Sequence, residues 1–249
     1  MWLTEDSEIY DFRESHSLML DEDEEFVECH VSVSRREALY GADRVHYMAA
    51  ADEEKLRLIA QRTWRAVEDG ELRSGDQILP TALIFTRKRP CDKFPEGRFK
   101  ARLVALGNVE RWKPGTEPST YAPVCSYAAN RYLTIKAASK KLFLKQFDIT
   151  LAFTNAELTG LEKSIFVRLP KEWDGPDARK GTTVKLLRAL YGLRLSPLLW
   201  YRTYKQWLES QGWVECEKEP GLFHLITEPD EHGVAHELWL TVYVDDSLI

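Results

Sequence analysis

The sequence lacks the features that would point to a membrane, to secretion or to a zinc-finger domain. No apolar run approaches the roughly 18 residues that a membrane span requires, and the acidic start WLTEDSEIYDF is unlike a signal peptide. The four cysteines are far apart and include no CxxC pair, which argues against a structural zinc site. Internal repeats are also absent. We therefore expect an intracellular globular protein with reduced thiols and no membrane partner.

Negative charge is concentrated near the N-terminus. Residues 1–30 contain eleven Asp or Glu and one Arg, a balance of −10 within a net charge of −6, which leaves +4 for residues 31–249. We interpret residues 1–37 as an acidic, flexible arm or linker, and residues 38–249 as the folded part. A mildly basic body is typical of proteins that bind nucleic acid, among other classes.

Hydrophobic periodicity predicts three helices. NRYLTIKAASKK forms one of them, and another begins at Ser196, with Ser196 as N-cap, Pro197 at the first helical position and Gly212 as the C-terminal stop. The remaining helix precedes both in the chain and is predicted to bury an apolar face at Met48, Leu56, Ile59, Ala60 and Trp64.

Strands are predicted in ILPTALIFTRKR, GRFKARLVALGN, LFLKQFDITLAF, SIFVRLP and ELWLTVYV, so the fold class is α+β. The first two form a hairpin that is rich in cations. Such a cluster is more often a solvated sheet face than a phosphate site, and both interpretations remain open for Arg87, Lys88, Arg89, Arg98, Lys100 and Arg102.

Three aspartates are placed at strand ends. Asp148 shares a strand face with Leu142, Leu144 and Gln146, so an acid ends a largely apolar row. Asp245 and Asp246 follow ELWLTVYV, whose two faces are both bulky, which predicts a buried strand. Paired aspartates often only cap a turn, but like charges at the rim of a core favour a multivalent cation. These three carboxylates would suit Mg²⁺.

Four motifs, in this order along the chain, carry a resemblance: FKARLVALGN, KQFDITLAF, LYGLRLSPLLWY and YVDD. Together they resemble the reverse transcriptase of copia-type retrotransposons, over residues from about Ala38 to Ile249. The resemblance implies the fingers and palm subdomains of a right-hand polymerase, truncated within the YxDD hairpin.

The resemblance also implies roles for individual residues. Asp148, Asp245 and Asp246 would be the catalytic residues and would bind two Mg²⁺ ions, with Mn²⁺ as a substitute. Phe153 would be the aromatic gate that excludes a 2′-hydroxyl, although from its sequence context alone it is a core residue. Nucleotide binding would further involve Lys100, Arg102, Tyr191 and Gly192, and Tyr243, Ser196 and Pro197 would lie near template and primer.

The implied function is RNA-directed DNA synthesis, in which a primer 3′-hydroxyl attacks the α-phosphate of a deoxynucleoside triphosphate (dNTP). The partners would be an RNA or DNA template with its primer, the dNTP, and the rest of a Pol polyprotein if it is encoded downstream. Members of that family work in cytoplasmic virus-like particles, and no targeting signal is visible here.

The sequence departs from the family pattern where it stops, three residues after Asp246. We expect the turn to be poorly fixed without the rest of its hairpin, and the thumb and RNase H domain to be absent. Three hypotheses follow: a segment of an enzyme, a truncated and inactive relic, or a nucleic-acid-binding module derived from one.

Overall fold

The computed structural model describes residues 8–11, 30–88, 97–112, 115, 117–161, 163–173, 181–229 and 232–249. Its elements confirm a mixed α+β fold. The α-helices are α1 (Arg35–Tyr40), α2 (Arg44–Ala60), α3 (Tyr127–Lys140) and α4 (Ser196–Ser210). The strands are β1 (Glu8–Asp11), β2 (His30–Val33), β3 (Trp64–Ala66), β4 (Ile78–Lys88), β5 (Arg98–Ala105), β6 (Phe143–Asp148), β7 (Phe166–Arg168), β8 (Thr183–Leu186), β9 (Val214–Glu215), β10 (Leu222–Ile226), β11 (Glu237–Tyr243) and β12 (Asp246–Leu248).

The chain divides into two units. The first consists of Met1–Asp21, Thr120–Ala152 and Pro197–Ile249, and the second of Glu22–Ser119 and Phe153–Ser196. The first unit contains an antiparallel sheet in the order β1-β6-β12-β11-β10-β9. Strand β12 therefore lies between β6 and β11, so the strands that end and begin with the predicted aspartates are direct neighbours.

Helix α3 of the first unit is set by its caps. The Ser126 side chain accepts a hydrogen bond from the N–H of Ala129, and Lys141 ends the helix with a φ of 54°. The buried face is small and aliphatic, which lets the helix lie close to the sheet, and it consists of Ala129, Leu133 and Ala137.

Helix α4 lies where it was predicted and Gly212 is its stop, but Ser196 is its first helical residue and not its N-cap, so Pro197 is the second. It begins at Ser196 and ends at Ser210, and Gly212 follows with a φ of 87°, a conformation that glycine adopts without steric cost. Its buried side chains recur at helical spacing and include Trp200, Tyr204 and Leu208.

The second unit contains a mixed sheet in the order β2-β4-β7-β8-β3, with β5 paired to β4. Strand β4 runs parallel to β7 and antiparallel to β5 and β2. Strand β4 is long enough to pair with different partners along its length, which joins the β4–β5 hairpin to the rest of the sheet. The core beside this sheet includes Leu58, Phe85, Leu103, Val167 and Leu186.

The periodicity predicted the wrong buried face for α2, and it also included Trp64, which lies beyond the helix in β3. Leu56 and Ile59 are 66% and 49% exposed. The helix packs against β5 through the opposite side, where small side chains permit close approach, and its buried residues are Tyr47, Ala50, Ala51, Glu54 and Leu58.

Glu54 is a buried acid on this packed face of α2. Its Oε1 accepts a hydrogen bond from the backbone N–H of Leu103 at 3.1 Å. Burial raises the pKa of Glu54, while this hydrogen bond and nearby cations act in the opposite direction. The carboxyl group thereby satisfies a donor of β5 that does not pair with β4.

Parts of the predicted acidic arm are in regular structure. Strands β1 and β2 both lie within residues 1–37. Strand β1 pairs with β6, and β2 pairs with β4. Residues 12–29, with most of the acidic side chains, lie outside the described residues, as do Arg89, Cys29 and Cys91. No helix in the described part of the chain is both long and apolar enough to cross a membrane.

Candidate active site and nucleotide-binding surface

The register of the first sheet places two of the predicted aspartates opposite each other. Asp246 of β12 pairs with Asp148 of β6. Beyond them the N–H of Ile149 donates to the carbonyl of Asp245 at 2.9 Å, and at the other end Lys145 and Ile249 exchange both backbone hydrogen bonds. This alternation makes Asp148 and Asp246 a non-hydrogen-bonded pair, whose Cα atoms are typically about 4.5 Å apart with both side chains on one face.

The turn that carries Asp245 is a two-residue hairpin loop closed by Tyr243 and Asp246. Its first residue, Val244, has a φ of 60°. A hairpin of type II′ requires this left-handed conformation at its first central position, where glycine is the usual residue. A β-branched residue there is strained by roughly 1–3 kcal/mol, which the surrounding structure must offset.

Part of that compensation comes from α4. The indole N–H of the fully buried Trp200 donates to the carbonyl oxygen of Val244 at 2.7 Å. Trp200 stacks on Tyr204 at 5.2 Å between ring centroids, and the Tyr204 hydroxyl lies 3.4 Å from that of Ser247 on β12. Burial raises the pKa of Tyr204, so this hydroxyl stays protonated. The sequence analysis did not single out this contact, although the N–H of a buried indole requires an acceptor nearby.

The strand before the turn is fixed from a second side. The carbonyl of Val242 accepts a hydrogen bond from the N–H of Cys125 at 2.9 Å. The N–H of Val242 donates to the carbonyl of Gly221 at 2.8 Å. A Cβ on Gly221, whose φ is 85°, would lie 2.7 Å from the Cys125 nitrogen. Cys125 and Cys216 are free thiols, as predicted for reduced cysteines, and burial raises the pKa of Cys125 to about 11.

The surroundings of the three aspartates differ from the prediction. Asp148 and Asp246 are exposed and Asp245 is half-buried. Along the β6 row only Leu144 is buried, because Leu142 and Gln146 face solvent, so the expectation of a buried strand before Asp148 is wrong. The central part of β11 is buried on both faces, as predicted, at Leu240, Thr241 and Val242. The turn, predicted to be poorly fixed, is bonded to β6, α4 and β12.

Hard carboxylate oxygens and the opposed positions of Asp148 and Asp246 suit a divalent cation, since like charges directly opposite in a sheet are unfavourable without one. As the side chains stand, however, no group of three or more His, Cys, Asp or Glu in the described ranges is arranged to hold a metal ion. The donor chemistry and the backbone register therefore fit a metal, and the side chains would have to converge on it.

In the second unit, the β4–β5 register shows on which face of the predicted hairpin each cationic residue lies. Thr86 pairs with Lys100 and Ile84 with Arg102, so Lys100 and Arg102 lie on one face of the hairpin. The register places Lys88 and Arg98 on that same face. Arg87 lies on the other face, where its guanidinium contacts the Phe99 ring at 4.8 Å and pairs with Asp43.

Three of the predicted nucleotide-binding residues form one cluster in this unit. The Arg102 guanidinium lies 5.3 Å from the centroid of the Tyr191 ring. Phe153 meets the same ring edge to face, with centroids 4.8 Å apart. The carbonyl of Tyr191 accepts from the N–H of Ala105 at 2.8 Å, which fixes the tyrosine beside β5.

Gly192 follows Tyr191 in a tight turn with a φ of 85°. A Cβ there would lie 2.1 Å from the Ala105 carbonyl oxygen, and one on Gly107 would lie 2.3 Å from the Gly192 oxygen. The resemblance implies a part for Gly192 in nucleotide binding. The close approach that the structure provides is to β5 of the protein itself.

Ser196 has a structural contact that the sequence did not indicate. Its hydroxyl donates to the carbonyl of Leu190 at 2.6 Å, so it also braces the turn before α4. Pro197 is half-buried and Tyr243 is exposed. A place for Tyr243, Ser196 and Pro197 near template and primer stays a prediction.

Comparison with known proteins identifies the family. Residues 61–249 match the family described as reverse transcriptase (RNA-dependent DNA polymerase). The chain is 28% identical over 216 residues to the retrovirus-related Pol polyprotein from transposon TNT 1-94 of Nicotiana tabacum, covering 87% of this chain and 15% of that protein. It is 32% identical over 192 residues to the one from transposon RE1 of Arabidopsis thaliana, covering 77% and 12%.

A yeast relative shows the same partial coverage. The Ty1-ER2 Gag-Pol polyprotein of Saccharomyces cerevisiae is 27% identical over 178 residues, which are 70% of this chain and 9% of that protein. The chain thus spans about a tenth to a seventh of the length of these relatives. The match confirms the resemblance seen in the four motifs, and the chain belongs to the reverse transcriptase family, as a segment similar to retrotransposon Pol polyproteins.

Proposed function

We propose that this chain is the fingers and partial palm of an RNA-directed DNA polymerase of copia type. The observation that carries the proposal is the register pairing of Asp148 with Asp246, next to a turn that presents Asp245. A nucleotidyl transfer site needs several carboxylates at one point, and neighbouring strands joined by backbone bonds supply them on a rigid element.

In the proposed reaction, the primer 3′-hydroxyl loses its proton and attacks the α-phosphate of a dNTP, and the bond to the leaving pyrophosphate breaks. Asp148, Asp245 and Asp246 would hold two Mg²⁺ ions, with Mn²⁺ as a substitute. When bound, these ions would increase the acidity of the hydroxyl and stabilise the charge on the triphosphate. The hydrogen bond from Trp200 to Val244 keeps the aspartate turn in place.

The second unit would bind the dNTP. Lys100 and Arg102 share a face of the hairpin and would contact the triphosphate. Phe153 and Tyr191 would meet the sugar, and the ring of Phe153 would occupy the space of a 2′-hydroxyl. Template pairing supplies the sequence information, so phosphate contacts are enough for the protein.

The proposed partners are an RNA or DNA template with its primer, the dNTP and the remaining parts of a Pol polyprotein. We place the activity in cytoplasmic virus-like particles, by analogy with the family. One observation favours a second candidate, a nucleic-acid-binding module without catalysis: within the described ranges, the three aspartate side chains are not gathered for a metal.

Primer extension distinguishes these candidates. The chain is incubated with an RNA template, a DNA primer, dNTPs and either Mg²⁺ or Mn²⁺, and Asp245→Asn is compared with Asp52→Asn on the exposed side of α2. We expect extension that is short, that Asp245→Asn abolishes, and that Asp52→Asn leaves unchanged. Extension that survives Asp245→Asn would contradict the site, and RNA retention without extension would support the binding module.

A further inference from the structure

The second unit contains a cavity that the proposed transfer chemistry does not use. Its volume is about 1080 Å³, slightly above the roughly 300–1,000 Å³ that small-molecule sites occupy. The connection between β3 and β4, the segment after β5 and the start of β7 form its walls. Its lining includes Arg73, Arg111, Trp112 and Lys163.

The wall that carries Arg111 and Trp112 is fixed by bonds from two other segments. The Gln77 carboxamide donates to the carbonyl of Val109 and accepts from the N–H of Arg111, both at 2.7 Å. Lys163 donates to the carbonyl of Arg111 at 2.8 Å. The backbone beside both side chains is thereby held in one position, which lowers the ordering cost of binding a ligand.

Lys163 is committed to this wall. Its Nζ lies 4.6 Å from the centroid of the Trp112 ring and 3.6 Å from Oε1 of Glu110, whose side chain is only 1% exposed. In the part of the chain that the structure describes, this Glu110 oxygen has no hydrogen-bond partner, so the ammonium is the charge that balances a buried carboxylate. The positive charge of Lys163 is therefore paired with Glu110, and we do not count it toward ligand binding.

Unlike Lys163, the two arginines of the cavity are not in an ion pair with a described residue. Among the described residues neither the Arg73 nor the Arg111 guanidinium has a carboxylate partner. Of the acids in the wall, Glu71 binds Arg65 and Lys185, whereas Asp76 accepts the backbone N–H of Arg73 and keeps its own negative charge. Two arginines against this one carboxylate leave the lining positive, on the side chain that best matches phosphate.

We propose that this cavity binds one nucleoside phosphate unit, with the base stacked on Trp112 and the phosphate bound by Arg73 and Arg111. An indole and two guanidinium groups around one concavity are what such a unit requires, since stacking accepts any base and the cations take the phosphate. The unit belongs to an unpaired nucleic-acid strand, or is a free nucleotide. This site lies outside the three aspartates, so it does not depend on the proposed polymerase activity.

The test is the fluorescence anisotropy of a labelled octauridylate with the 249-residue chain. We expect Trp112→Leu to weaken binding roughly tenfold, the size of one stacked base, and Trp112→Phe to restore most of it. Arg73→Gln with Arg111→Gln should weaken binding and flatten its salt dependence. Matched controls are Tyr40→Leu and Arg36→Gln, both exposed on α1, and circular dichroism checks that each variant is folded.

The outcomes separate cleanly. Binding that is unchanged in Trp112→Leu, or lost equally in the controls, overturns the inference. Competition by uridine monophosphate assigns the site to a single nucleotide, and its failure while octauridylate binds through Trp112 assigns it to a strand. A double variant, Asp148→Asn with Asp246→Asn, should keep this binding. If the unchanged chain extends no primer but binds through Trp112, the polymerase proposal fails and this inference stands.

Discussion

Trp200 donates its indole N–H to the carbonyl oxygen of Val244, 2.7 Å away, and so ties the buried side of α4 to the turn that carries Asp245. The bond spans two segments that are distant in sequence. It reaches the one residue of the turn whose backbone is strained. Trp200 is thus a positioning residue for the proposed catalytic aspartates.

Trp200→Phe should show this role. The change leaves the Val244 carbonyl without its donor, which we expect to lower the free energy of unfolding by about 1–3 kcal/mol. Urea denaturation measures it, and Trp207→Phe, at a more exposed tryptophan that stacks on Tyr204 two turns along the same helix from Trp200, is the control. Any primer extension by the chain should fall further than the loss of folded protein explains. Equal stability of the two variants would argue against the bond.

Val244→Gly tests the strained turn. Glycine adopts a φ of 60° without the steric cost of about 1–2 kcal/mol, but it adds chain entropy to the unfolded state. We expect the two effects to nearly cancel, with a change below about 1 kcal/mol in unfolding experiments. Val242→Gly, in the buried part of β11, should cost roughly 2 kcal/mol or more. Similar losses for the two valines would contradict a left-handed Val244.

Gly192→Ala should be strongly destabilising. The new methyl would lie 2.1 Å from the Ala105 carbonyl oxygen, on a residue whose φ is already 85°. We expect a loss of about 3 kcal/mol or more. Gly70→Ala is the matched control, because Gly70 has a φ of 77° with nothing within 4 Å of its added Cβ, and should cost only about 1 kcal/mol. Thermal unfolding of both variants measures the difference.

Glu71 should make stability depend on acid pH. Hydrogen bonds from Arg65, and then from Lys185, lower its pKa to about 2 from an ordinary value of 4.5. Because the folded state favours the carboxylate, its contribution is complete above pH 4.5 and declines as the pH falls toward 2. Glu71→Gln should flatten the urea midpoint over that range, and Glu68→Gln, which is exposed, should not. A slope that persists in Glu71→Gln would assign it to other groups.

Phe153→Ala tests the proposed sugar gate. Removing the ring opens space beside Tyr191. If the chain extends primers, we expect its preference for deoxynucleotides over ribonucleotides to fall roughly tenfold or more. Competing triphosphates in a primer-extension assay give the ratio, with Tyr40→Ala as an aromatic control away from the cluster. An unchanged ratio would return Phe153 to a purely structural role.

The parts of the fold that the sequence predicted are those set by local chemistry. Pro197 and Gly212 mark the start and stop of α4 correctly, because helix ends depend on a few neighbouring residues. The N-cap role of Ser196 was wrong, since Ser196 is the first helical residue and its hydroxyl donates to the carbonyl of Leu190. The buried side of α2 was wrong because periodicity identifies apolar positions but not which side has a partner. The side of α2 that packs against β5 carries the alanines and Glu54, and Leu56 is exposed to solvent.

In the candidate site, too, the sequence predicted the features set locally and missed those set by distant contacts. The motifs identified Asp148, Asp245 and Asp246, and the alternation of polar and apolar residues placed them at strand ends. Their opposed register depends on which distant strands pair, and the contact of Trp200 with Val244 depends on how α4 lies against the sheet. The cavity around Trp112 joins three separate segments, so no local pattern indicates it.

Glu54 has a consequence for how this protein behaves at high concentration. A strand with one neighbour offers its outward N–H groups to any passing chain, and such edges are where aggregation by strand addition begins. Strand β5 has β4 as its strand neighbour, but the N–H of Leu103, in its middle, is already bonded to a buried carboxylate. An incoming strand would have to break this hydrogen bond to pair with Leu103, so the middle of β5 is less open to strand addition than a bare edge.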